Sequence, residues 1–151
     1  MDDPRPQLQA ALKDAMKNKD NQRRDVIRFT QSAIKQVEID TRKELSAEDV
    51  VAILQKEAKS RRESIQELES AGRADAAEEA RQELAILEEF LPQQLSREEI
   101  EALARSAIEQ TGASSPKEMG KVMGVLMPQV KGRADGTLVN QVVRGLLNES
   151  A

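Results

Sequence analysis

Ser115 and Lys117, within GASSPK at 112–117, are the residues whose types and spacing come nearest to a nucleophile with its base. A serine–lysine hydrolase centre also needs donors for a developing oxyanion. The chain has no glycine-rich oxyanion loop and no second serine segment to complete one. Ser115, directly before Pro116, reads more simply as a helix N-cap. The acid pairs Glu78–Glu79 and Glu88–Glu89 are the next candidates, for acid–base work. Adjacent helical residues point about 100° apart, so neither pair shares one substrate. The chain has no His, Cys, Tyr or Trp. Without imidazole or thiol, zinc and iron–sulfur sites are excluded in practice, and no metal or cofactor is expected. No catalytic residue is assigned, and a non-catalytic role is preferred.

Chemistry of another kind is concentrated near the C-terminus. VKGRADG at 130–136 places Lys131 and Arg133 beside Gly132 and Gly136, ahead of a helix start. Cations and helix N–H groups suit phosphate, but Asp135 as N-cap would leave Lys131 and Arg133 to bind it alone. The bland alternative is a solvated turn. Gly120 and Gly124 fall four apart inside a helical pattern, close to Lys121. A glycine inside a helix costs about 1 kcal/mol relative to Ala. Two compensations are open: a neighbouring helix packing on the bare ridge, the commoner one, or the backbone of a ligand such as RNA. A second basic face, Arg24, Arg28 and Lys35, is interleaved with acids and reads more readily as salt-paired surface.

Regular helices must position these residues. Charged residues make up 33% of the 151, and Phe29 and Phe90 are the two aromatics, a composition that favours helix over strand. Asp3–Pro4 starts a first helix with Leu8, Leu12 and Met16 on one side. A second carries Val26, Thr30 and Val37 and ends near Lys43. Ser46 and Asp49 form a capping box for a third, with Val50, Leu54, Ala58, Ile65 and Leu68 inward and Gly72 as its stop. The fourth runs Ala77, Ala80, Leu84, Leu87, Leu91 and ends at Pro92. Ser96 and Glu99 box the fifth, which Gly112 closes. Ser115–Pro116 opens the sixth, with Met119, Val122, Met123, Leu126 and Met127, stopped by Pro128. Asp135 caps the seventh, with Leu138, Val142, Val143, Leu146 and Leu147.

The expected fold is all-α: an N-terminal four-helix subdomain over 1–92, a LPQQL hinge at 91–95, and a three-helix tail subdomain over 96–151. Charge follows the same division. Residues 1–92 hold 16 cations and 20 acids, net −4, whereas residues 112–151 hold five cations and three acids, net +2. No signal-peptide run and no stretch of about 20 apolar residues is present, so a soluble, cytoplasmic protein without membrane association is expected.

SPKEMGKVMGVLMPQVKGRADGTLVNQVVRGLL at 115–147 resembles the C-terminal tail domain of the B subunit of tRNA-dependent aspartyl/glutamyl-tRNA amidotransferase. RDVIRFTQSAIKQVEID at 24–40 and ELAILEEFLPQQLSREEI at 83–100 resemble its free-standing YqeY-like relatives. The chain is similar to a stand-alone member of the GatB/YqeY family over about 8–147. The resemblance implies a tRNA-contacting tail, and carries an RNA- or partner-binding role onto Lys121, Gly124, Lys131, Gly132, Arg133 and Gly136. It implies no catalytic residue, because the kinase-like cradle of the amidotransferase has no counterpart in this chain. Carbon–nitrogen ligase activity with glutamine as amido-N-donor attaches to the family name, and the residues lend it no support. Two functions stay open: an accessory module binding tRNA, and an adaptor docking on an aminoacyl-tRNA synthetase or amidotransferase complex.

Overall fold

The computed structural model describes residues 1–150, with side chains through Glu149; Ala151, the expected end of the tail subdomain, lies outside the described residues. It contains seven α-helices and one 3-10 turn, and no strand among the described residues, so the chain is all-α. Two compact units are present, Met1–Pro92 and Gln93–Ala151. No helix among the described residues is long and apolar enough to cross a membrane.

The first unit holds α1 (Pro4–Lys17), α2 (Asn21–Thr41), α3 (Ala47–Ser70) and α4 (Ala74–Glu88). Local chemistry sets most of their ends. Asp3 caps α1 by accepting the Arg5 N–H, with Pro4 in the first turn. At α3 both halves of the capping box form: Ser46 Oγ accepts from Asp49 N–H at 3.1 Å and Asp49 Oδ2 from Ser46 N–H at 3.0 Å. Between α3 and α4, Gly72 takes φ 72°, a left-handed turn open to glycine at little cost.

Three expectations for this unit shift. Met16 is exposed and Ala15 is buried in its place, because the stripe advances with 3.6 residues per turn rather than four. Helix α2 ends at Thr41, where Arg42 turns left-handed at φ 53°, short of Lys43. Helix α4 ends at Glu88, and Leu91 is buried beyond it in the same core as Leu8, Leu54, Leu87 and Phe90. Pro92 therefore follows the stop and does not make it.

The second unit holds α5 (Arg97–Thr111), a 3-10 turn (Pro116–Glu118), α6 (Met119–Val130) and α7 (Gly136–Ser150). Its core gathers Ile100 and Ala104 of α5, Val122 and Leu126 of α6, and Val143 and Leu147 of α7. Ser96 caps α5 by accepting from Glu99 N–H at 3.1 Å, and its hydroxyl donates to the Glu99 carboxylate, so the carboxylate binds the side chain of the cap. Ser115 makes no cap hydrogen bond, contrary to expectation. Instead the Glu118 carboxylate accepts from Ser114 N–H at 2.6 Å. Pro128 does not stop α6, which continues to Val130. In the last turn its missing N–H costs one bond, the one Gly124 C=O would have accepted.

Candidate nucleic-acid interface in the C-terminal unit

Helices α6 and α7 leave between them an open groove of about 910 Å³. Met123 and Met127 line it from α6, and Gly136, Thr137, Asn140, Gln141, Arg144, Gly145 and Asn148 from α7. The α7 residues 137, 140, 141, 144, 145 and 148 recur at three and four, one face of one helix. The apolar face of α7 is turned into the core through Val139, Val142, Val143, Leu146 and Leu147. The amphipathic sequence thus fixes which side chains meet the groove. Asn140, Gln141, Arg144 and Asn148 make no side-chain hydrogen bond or ion pair among the described residues. Three amides and a guanidinium stand ready for a guest, and the acid lining the groove is Asp135, at the start of α7.

The glycines explain how close a guest could come. Gly120, Met123, Gly124 and Met127 share one face of α6 by their spacing. A Cβ added at Gly120, Gly124 or Gly145 would meet nothing within 4 Å. No neighbouring helix covers the Gly120–Gly124 ridge, so the packing explanation for it fails. Gly120 lies in the first turn of α6, whereas Gly124 and Gly145 are interior and carry the full helix cost.

The loop ahead of α7 is built rather than loose. Gly132 is buried at φ 79°, and its carbonyl accepts from Gln94 Nε2 at 3.0 Å. Leu95 N–H donates to Arg133 C=O at 2.8 Å, and Arg133 Nε donates to Gln93 C=O at 3.3 Å. The expected hinge segment is therefore hydrogen-bonded to the loop from Gln93 onward. Gly132 shapes the turn and offers no surface, Lys131 is exposed, and Arg133 is partly exposed. Asp135 caps α7, accepting from Thr137 N–H at 3.1 Å. Lys121 is exposed and pairs with Glu118 at 3.9 Å. The Ser114 N–H, with Lys121 as a lesser contributor, holds the Glu118 carboxyl below the usual carboxylate range.

The second basic face is engaged locally. Arg24 pairs with Asp25 at 2.9 Å, Lys35 with Glu38 at 3.7 Å, and Arg28 reaches the Met16 sulfur at 3.8 Å. No cluster of three or more carboxylates able to hold a metal occurs among the described residues.

A family model described as "Yqey-like protein" matches residues 5–147. The chain belongs to the YqeY-like family. It is also 31% identical over 131 residues to "Altered inheritance of mitochondria protein 41, mitochondrial" of Pyrenophora tritici-repentis (strain Pt-1C-BFP), covering 85% of this chain and 72% of that one. In this YqeY-like chain the sequence pattern points to Gly136 of the groove lining and not to Asn140, Gln141, Arg144, Gly145 and Asn148; Gly124 is exposed on α6 outside that lining. The signal that could have found them is Gly145, an interior helical glycine preceded by Gln141 at four-residue spacing and directly by Arg144.

Proposed function

We propose that this YqeY-like chain is a non-catalytic accessory module of tRNA-dependent amidation or aminoacylation, and that it binds tRNA through its C-terminal unit. The observation that carries the reading is the uncovered glycine groove with its unpartnered amides and Arg144. Glycines admit a sugar–phosphate backbone closely, amides suit ribose hydroxyls, and cations suit phosphate. The protein's net charge of −4 repels polyanions at long range, so the contact is local and salt-sensitive. The resemblance of 115–147 to the amidotransferase tail supports tRNA as the nucleic acid. The module acts on a complex that supplies the chemistry, a synthetase or an amidotransferase, and has no ligase activity alone. A cytoplasmic site of action belongs to this proposal; the fungal relative is, by its name, mitochondrial.

The test is tRNA binding by fluorescence anisotropy at low and physiological salt. With Lys131, Arg133 and Arg144 on phosphate, the slope of log K against log salt is about −2 to −3. Lys131→Ala/Arg133→Ala makes it shallower by about 2, one for each cation removed. Wild-type protein that binds no tRNA even at low salt overturns the reading.

A further inference from the structure

The N-terminal unit carries a second groove, of about 410 Å³, between α2 and α3, with Glu83 of α4 at its wall. Phe29 is 56% exposed there, in a chain whose other aromatic, Phe90, is 4% exposed. The Arg61 guanidinium lies 5.4 Å from the Phe29 ring centre and pairs with Glu83 at 2.7 Å. Arg61 stands where the Leu54, Ala58, Ile65 stripe of α3 calls for an apolar residue, and its side chain is only 17% exposed. Its Nε is buried with no hydrogen-bond partner. The arginine is thus fixed by the ring and one carboxylate, and it leaves more than half of Phe29 in water.

The charge of this groove is the opposite of what a nucleic acid needs. Asp25, Glu57 and Glu83 face one guanidinium, Arg61. Asp25 is matched by Arg24 and Glu83 by Arg61. Glu57 has no ion pair among the described residues. An open aromatic face beside an unpaired carboxylate attracts a cation with an apolar stem. The lining of α3 runs from Glu57 to Ser64, about 10 Å along the helix axis, which suits a helix side laid against it. An exposed aromatic ring in contact with an arginine is the composition of interface hot spots.

We infer that the α2–α3 groove docks a basic amphipathic helix of a partner protein, with a lysine or arginine of the guest between Phe29 and Glu57. This surface is independent of the tRNA reading and draws on a different unit.

The test uses the full chain and a fluorescein-labelled peptide of Leu and Lys, about 18 residues long so that it holds a helix. Its twin carries Glu in place of Lys. The Lys peptide binds, and Phe29→Ala and Glu57→Lys each weaken it about tenfold, a hot-spot-sized loss. Glu109→Lys on α5 makes the same change in net charge and alters binding less than about twofold. Circular dichroism of Phe29→Ala shows unchanged helicity, because the residue is exposed. Three results overturn the inference: no binding of the Lys peptide, equal weakening by Glu57→Lys and Glu109→Lys, or equal binding of the Glu twin. Displacement by spermidine as efficient as by unlabelled peptide also overturns it, and reassigns the groove to small polyamines.

Discussion

Helices α1 to α4 contain no glycine, whereas α6 and α7 contain four, Gly120, Gly124, Gly136 and Gly145. In the N-terminal unit cations are widely matched by acids: Arg5 with Asp3, Arg23 with Glu89, Arg61 with Glu83, Arg62 with Glu88, and Arg81 with both Glu69 and Glu78. In the C-terminal unit the side chains facing the α6–α7 groove are largely unmatched. One surface pairs many of its charges, Glu57 of the α2–α3 groove excepted, and the other gives up helix stability and leaves donors unused. Such ion pairs at a wet surface contribute about 0–1 kcal/mol each, so the contrast is one of vacancy for a partner more than of stability.

The largest effects test whether the two cores are energetically separate. Leu54→Ala and Leu126→Ala each remove a fully buried side chain, one in either core, and each costs about 2–5 kcal/mol. Urea unfolding of the two variants shows two transitions, each variant lowering its own. A single transition lowered equally by both would merge the units.

Next in size, and opposite in sign, is the glycine ridge. Gly124→Ala/Gly145→Ala stabilises the protein by about 2 kcal/mol, since each added methyl has room and helix propensity rises. The same variant binds tRNA more weakly. A destabilised variant would show that the ridge is packed after all.

Smaller still is a comparison of two serines that look alike in sequence. Ser46→Ala costs about 1 kcal/mol, because a complete capping box is lost. Ser115→Ala stays within about 0.5 kcal/mol, because no cap bond exists there.

The smallest effect is on acid stability. The fold lowers the Glu118 pKa, so its carboxylate is stabilised in the folded state relative to the unfolded chain. Its contribution is present above the ordinary glutamate value and is lost as pH falls through the lowered folded value. Thermal melts of wild type and Glu118→Gln against pH check this: the wild-type advantage shrinks on acidification. A difference independent of pH would refute it.

What is legible in the chain alone is mostly local. Asp3, Ser46, Ser96 and Asp135 each cap the helix that follows, since a cap needs only its neighbours in the chain. Gly72 and Gly112 turn left-handed where the pattern places helix ends. Pro128 misleads because the burial of Val130 carries the helix two residues past the one hydrogen bond that the proline removes. Met16 and Ala15 exchange places because a four-residue count drifts from the true helical repeat within two turns. The groove is half legible. Gly124 raises a question in the sequence, but the vacancy beside it is a property of three-dimensional packing. Asn140, Arg144 and Asn148 look like any solvated stripe until α6 is set against α7. Arg61 does give a sign, a charge in an apolar register, whose meaning requires Phe29 to be found beside it.

Gln93, Gln94 and Leu95 each bond the loop at 132–133. Anyone excising the C-terminal unit for grafting or display should therefore cut ahead of Gln93. A fragment trimmed to the capping serine, Ser96, would present the same basic loop with its scaffold removed. Its weak binding would then reflect where the scissors fell and not the absence of a ligand.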